Sequence, residues 1–187
     1  MKHSLAVKHG LAAFAVVAGV VCLSALPRVP AQSVSPPNNL IGMWKQNMEK
    51  SVYSPGGPPP KGSFGVRQYA AGDGGSVIAI TMNVSSDGMP FLRAISVANY
   101  DGKEYPQYTL ATLVTSLSNH VGPSIERTIS YRPIDTYTVE IGQKENGQVV
   151  SKSTRTISRD GKTMTERFDF TDAQGQRLAD MLIFEKQ

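Results

Sequence analysis

The chain has 187 residues, of which 40% are hydrophobic, with 19 Lys and Arg against 15 Asp and Glu and a single cysteine. That length suits one domain with or without a leader, and one cysteine excludes an intramolecular disulfide framework. Lys2, Lys8 and Arg28 fall within the first 31 residues, where there is no acid, so the other 156 residues carry 16 basic and 15 acidic side chains, a net +1. A nearly neutral chain without a basic cluster has no electrostatic footprint for nucleic acid or an anionic membrane.

Residues 1–31 read as an export signal. Lys2 and Lys8 form a positive front, Leu11 to Leu26 are uncharged and rich in Ala and Val, and Val29-Pro30-Ala31 places small residues before a cut ahead of Gln32. Secretion or delivery to the periplasm follows, with no stable membrane insertion once the signal is cut. An uncut signal kept as an anchor is the alternative, because the charge-free run from Gly10 to Pro27 approaches the roughly 20 residues that span a bilayer. Val21 before Cys22 disfavours a lipoprotein signal, which wants a small residue there.

A Pro/Ser/Asn lead over 32–39 precedes a single domain over 40–187, which opens on a short strand, Leu40 to Lys45. The run from Ser54 to Gly62 contains Pro55, Pro58, Pro59 and Pro60 and stops regular structure, since proline cannot donate to a ladder. It is a loop, with a polyproline ligand for a partner as the functional alternative. Strands are then expected over 64–70, 76–85, 91–99, 105–117, 124–131, 136–143, 148–158, 163–171 and 177–185. Segment 105–117 is the least regular and accommodates a strand, a helical turn or a crossover.

Turn signals punctuate these strands at a near-constant interval. Gly88 and Gly102 are 14 residues apart, as are Gly147 and Gly161, and Gly161 and Gly175; each follows Asp, Asn or Gln. The longer gap from Gly102 to Gly147 holds turn chemistry near Asn119 and Pro133. Asn-Gly and Asp-Gly favour the positive-φ turns whose twist matches paired strands. Thr, Val, Ile, Tyr and Phe dominate with period-two alternation, so the class is all-β. A long antiparallel meander protects its edges by closing, which predicts an up-and-down barrel of about eight to ten strands, with a flattened sandwich as the alternative.

Gly42-Met43-Trp44 at the start of this meander resembles the Gly-x-Trp of the lipocalin and calycin group. Together with Ser54-Pro55-Gly56-Gly57-Pro58-Pro59-Pro60-Lys61, Asp101-Gly102-Lys103-Glu104-Tyr105-Pro106, Ile134-Asp135-Thr136-Tyr137-Thr138-Val139-Glu140, Ser158-Arg159-Asp160-Gly161-Lys162-Thr163-Met164-Thr165 and Phe184-Glu185-Lys186, it is similar to exported bacterial lipocalin-like proteins of unassigned function. The resemblance implies a bend at Gly42, a barrel end plugged by Trp44, and a non-catalytic binding role for a small apolar or amphipathic molecule. Arg127 and Arg177 are the candidates for the arginine that packs over the lipocalin tryptophan. The Thr-Asp-Tyr pattern of the second lipocalin motif has no clear counterpart.

Alternation also singles out polar residues on apolar faces. Arg93 lies in Phe91-Arg93-Ile95-Val97, Arg127 in Ile125-Arg127-Ile129-Tyr131, Glu166 in Met164-Glu166-Phe168-Phe170, and Asp180 in Leu178-Asp180-Leu182-Phe184. Facing inward, Arg93 and Arg127 with Tyr131 would receive a ligand's carboxylate or phosphate, with Glu166, Phe168 and Phe170 completing the site. Internal or rim salt bridges are the structural alternative, and a one-residue slip in register would invert every face.

Other chemistry has little support. His120 is the one histidine beyond residue 31, so no metal site is expected. No Gly-x-Ser-x-Gly elbow supports a nucleophile, and Asp169 and Asp172 read as solvated strand ends. Gly72-Asp73-Gly74-Gly75 precedes no helix and reads as a hairpin turn rather than a phosphate cradle. The expectation is a monomeric carrier without cofactor, a solid-cored interaction module being the alternative. A void of about 300 Å³ or more, lined by Phe and Ile, would separate the carrier from the module.

Overall fold

The computed structural model describes residues 35–54, 57–117, 125–171 and 177–187, apart from the side chains of 114–117, 170, 171 and 177. Ten strands form a closed antiparallel barrel: β1 (Gly42–Val52), β2 (Phe64–Ala71), β3 (Val77–Val84), β4 (Pro90–Ala98), β5 (Glu104–Tyr108), β6 (Arg127–Pro133), β7 (Thr138–Glu145), β8 (Gln148–Ile157), β9 (Thr163–Thr171) and β10 (Arg177–Lys186). Each strand pairs with its neighbours in sequence, and β1 closes the ring on β10. Closure gives every strand two partners, so no edge is left to template association.

The turn chemistry acts where the sequence places it. Asn146 and Gly147 both have positive φ, 48° and 78°, as the tight turn joining β7 to β8 requires. The carboxylates of Asp87, Asp101, Asp135 and Asp160 each accept a backbone N–H two residues on, from Met89, Lys103, Tyr137 and Lys162. These side chains mimic a backbone turn and pin the hairpins. Asp73–Gly75 forms a short 3-10 turn, preceded by an extended Gly72, between β2 and β3, as expected of a hairpin. Residues 1–34, the turn expected near Asn119 with His120, Asp172 and the Gln174-Gly175 pair lie outside the described residues.

Two elements depart from the sequence reading. The first strand runs to Val52, because β1 pairs with β10 through Asn47 and pairs with it again at Val52 in a shifted register. The segment expected over 105–117 is split: β5 ends at Tyr108 and a helix, α1, spans Leu110–Leu117. Thr109 caps it, its Oγ1 accepting from Thr112 N at 3.3 Å while Thr112 Oγ1 accepts from Thr109 N at 2.8 Å, a reciprocal pair that starts a helix.

Antiparallel alternation sends the loops β2–β3, β4–β5, β6–β7 and β8–β9 to one end, with both ends of the barrel domain. That end is closed and apolar. Leu40, Trp44, Tyr100, Val139, Ile157, Met164 and Phe184 are fully buried there. The indole N–H of Trp44 donates to the Leu40 carbonyl at 2.8 Å, so its one polar atom is satisfied. Gly42 has φ +135°, and a Cβ there would lie 2.8 Å from Lys186 Cε. The glycine thus allows both the bend in β1 and the passage of Lys186, whose ammonium lies 5.1 Å from the Trp44 ring centroid and donates to the Asn39 carbonyl at 2.7 Å. The cation over the tryptophan is therefore Lys186 rather than Arg127 or Arg177, which begin β6 and β10 at the opposite end.

Candidate functional site

Above the apolar base the interior is not filled. A cavity of about 380 Å³ is lined by Arg67, Tyr69, Ser96, Gln107, Tyr131, Gln143, Ser153, Arg155 and Glu166, with Ala79, Ile129, Ile141, Phe168 and Leu182 as its apolar wall. Its other end reaches Tyr53, Pro59, Arg93, Arg127 and Asp180, which belong to the strand ends and loop opposite Trp44. The volume passes the threshold of about 300 Å³ for a ligand cavity, but the lining is mainly polar rather than Phe and Ile.

The floor is built around a buried ion cluster. Register sets Arg155 on β8 opposite Glu166 on β9. Glu166 Oε1 accepts from Arg155 Nη2 at 2.6 Å and from Nε at 2.7 Å, with side-chain exposures of 6% for the arginine and 3% for the acid. The guanidinium of Arg155 also lies 4.7 Å from the Tyr69 ring centroid and 5.8 Å from that of Tyr131, and its Nη1 donates to the Tyr100 hydroxyl at 3.5 Å. Aromatic faces and a carboxylate thus replace the water that so buried a cation loses. Burial alone would raise the Glu166 carboxyl, but the charges of Arg155 and Arg67 and their hydrogen bonds outweigh it and hold the acid below its usual range.

Arg67 is held differently. Its Nη2 is 3.5 Å from Glu166 Oε2, its Nη1 donates to the Val66 carbonyl at 3.3 Å, and its guanidinium lies over the Phe184 ring at 4.9 Å. At 12% side-chain exposure it is the more accessible of the two floor arginines. Burial raises the hydroxyls of Tyr69, Tyr100 and Tyr131, so these phenols stay neutral.

The sequence-selected residues divide between two levels. Glu166 and Tyr131 are deep: Tyr131 is 2% exposed and stacks on Tyr100 at 4.7 Å. Phe168 lies on the cavity wall, while the side chain of Phe170 is outside the described residues. Arg127 sits at the mouth, paired with Glu145 at 2.8 Å, four residues and roughly 13 Å of strand away from Tyr131. Arg93 and Arg127 therefore do not gather around Tyr131 as the sequence reading has them.

The apolar face that Arg93 shares with Ile95 and Val97 in the sequence reading is inverted beyond Arg93 itself, which lines the cavity mouth. Ser96 and Ala98 are the buried residues of β4, whereas Val97 is 51% exposed. The register shifts between the Thr81–Ala94 and Met82–Leu92 pairs, so Arg93 is the extra residue of a β-bulge, exposed at the cavity mouth. Asp180 is a loop anchor: its Oδ1 accepts from Ser54 N at 2.8 Å and Ser54 Oγ at 2.7 Å, fastening the start of the Pro-rich segment over the barrel end. Asp169 pairs with Arg167 at 2.9 Å on the outer surface.

Arg155 and Arg67 escaped the sequence reading. Arg155 shares its face with Ser153 and Arg67 with Gly65, so no apolar alternation marked them. A usable signal existed: Arg155 and Glu166 each lie five residues from the Asp160-Gly161 pair, so the turn alone makes them partners. Among the described residues no group of three or more His, Cys, Asp or Glu could hold a metal, and no helix is long and apolar enough to cross a membrane.

Fold and site together define a closed ten-stranded antiparallel barrel with an apolar base and a polar internal cavity. No family model, curated protein or solved structure matches the chain.

Proposed function

We propose that this is an exported, non-catalytic binding protein that holds one small amphipathic molecule inside its barrel. The observation that carries the reading is the cavity of about 380 Å³ between the sealed base and the opposite end, at the small end of the range for ligand pockets. Its polar groups would orient the ligand, and Ile129, Ile141, Phe168 and Leu182 would take the apolar part. The charged front and apolar run of residues 1–31 support export, and the resemblance at Gly42-x-Trp44 supports a carrier.

Native mass spectrometry of the exported protein tests this. One bound small molecule per chain is expected, and Ala94→Phe, which adds a ring to the cavity wall, should remove it. Repeated absence of any adduct, with no response from an apolar fluorescent probe, would overturn the reading.

The exposed apolar side chains of Met89, Phe91, Leu110, Val149 and Val150, all near the strand ends opposite the base, favour a second reading as an interaction module. In that case a partner would bind at the barrel end, and Ala94→Phe would leave its binding intact.

A further inference from the structure

We infer that the cavity floor is a binding site for a monoanionic oxyanion head, a carboxylate, with Arg67 as the residue that receives it. This rests on the binding-protein reading and specifies its ligand. The floor holds two guanidinium groups and one carboxylate. Arg155 spends Nε and Nη2 on Glu166 Oε1 at 2.7 and 2.6 Å and is enclosed by the rings of Tyr69 and Tyr131. Arg67 has only the 3.5 Å approach to Oε2 and one bond to a backbone carbonyl. A guanidinium carries five N–H donors, so Arg67 retains donors that reach the cavity it lines.

One positive charge on the floor is therefore uncompensated. The tyrosines do not cancel it, because burial keeps Tyr69, Tyr100 and Tyr131 protonated. Asp180, the other acid on the lining, lies at the opposite, mouth end, where it anchors Ser54. Nor do the mouth charges help: Arg127 is paired with Glu145, and Arg93 adds a further cation. An anion with one charge neutralises the floor, and a guanidinium fork suits a carboxylate's two oxygens. A dianionic head would bring its second charge towards Glu166. The hydroxyls of Tyr69 and Ser153, which make no hydrogen bond among the described residues, are further polar groups on the lining for the same head.

Calorimetric titration with octanoate, octyl phosphate and octanol at constant ionic strength separates the cases. Octanoate should bind at least about tenfold more tightly than octanol, the scale of one charge-assisted hydrogen bond. Arg67→Gln should abolish that preference while octanol binding persists, and Arg67→Lys should restore part of it; circular dichroism and melting confirm that both variants fold. Equal affinity for octanoate and octanol, or a preference that survives Arg67→Gln, would overturn the anion site but leave the binding-protein reading standing. Tighter binding of octyl phosphate would overturn the monoanion assignment. Failure of all three probes together with the apolar dye would instead sink the underlying reading.

Discussion

The two halves of the barrel interior solve the problem of burial in opposite ways. At the base, Leu40, Trp44, Val139, Ile157, Met164 and Phe184 exclude water completely, and the only polar atom of Trp44 is tied to the Leu40 carbonyl. One level up, Arg155, Glu166 and Arg67 are buried in ionised form, next to open space. Apolar packing stabilises roughly in proportion to the area removed from water, whereas burying an ion pair costs about as much desolvation as the pair returns. The base therefore contributes most of the stability, and the floor is a charged surface that the base makes affordable. Phe184 joins them, with one face in the core and the Arg67 guanidinium over its ring.

Single substitutions in the two halves should cost alike but respond differently to a second change. Glu166→Leu strands Arg155 and should lower unfolding stability by about 3 to 5 kcal/mol, most of it recovered in the Arg155→Leu/Glu166→Leu double variant. Trp44→Ala should also lose about 3 to 5 kcal/mol, through a cavity that no charge removal refills. Urea unfolding of the four proteins checks both, and a double variant no better than Glu166→Leu would erase the distinction.

Acid should weaken the floor before the base. Because the native Glu166 carboxyl is held below its ordinary value near 4.5, its contribution is fully present above that value and is lost as pH falls through the lowered native one. Asp87, Asp135 and Asp160, lowered by side-chain and backbone hydrogen bonds at the turns, add to the same limb. Melting temperature followed from pH 7 to pH 2 should decline below about 4.5, and less steeply in the double variant. An identical acid limb would mean that the surface carboxylates set it without Glu166.

The smallest expected effect is at the mouth. Asp180→Asn keeps the shape of the anchor but removes its charge, so it should cost about 1 to 2 kcal/mol and raise amide exchange at Ser54. Unchanged exchange there would show that the loop is held by other contacts.

The barrel was largely readable because its determinants are local. Asp-Gly and Asn-Gly pairs fix hairpins wherever they occur, and Gly42-x-Trp44 marks the end that is sealed. The site was only half readable. Glu166 stands out because an acid on an apolar face needs a partner, but Arg67 lies between Gly65 and Tyr69 and Arg155 between Ser153 and Ile157, where alternation carries little contrast. Arg93 reaches the cavity lining, but Ile95 and Val97 face the other way, because one extra residue in β4 breaks the alternation and composition does not announce a bulge. The helix after Tyr108 was hidden by its Thr and Val content, though the Thr109–Thr112 pair that caps it is visible in the sequence.

The most direct test of the division between a sealed base and a receptive floor is arginine side-chain and indole NMR during titration with octanoate. The account predicts that the Arg67 Nε–Hε signal shifts and saturates, while the Trp44 indole signal stays in place. A shift of the Trp44 indole with Arg67 unmoved would contradict it.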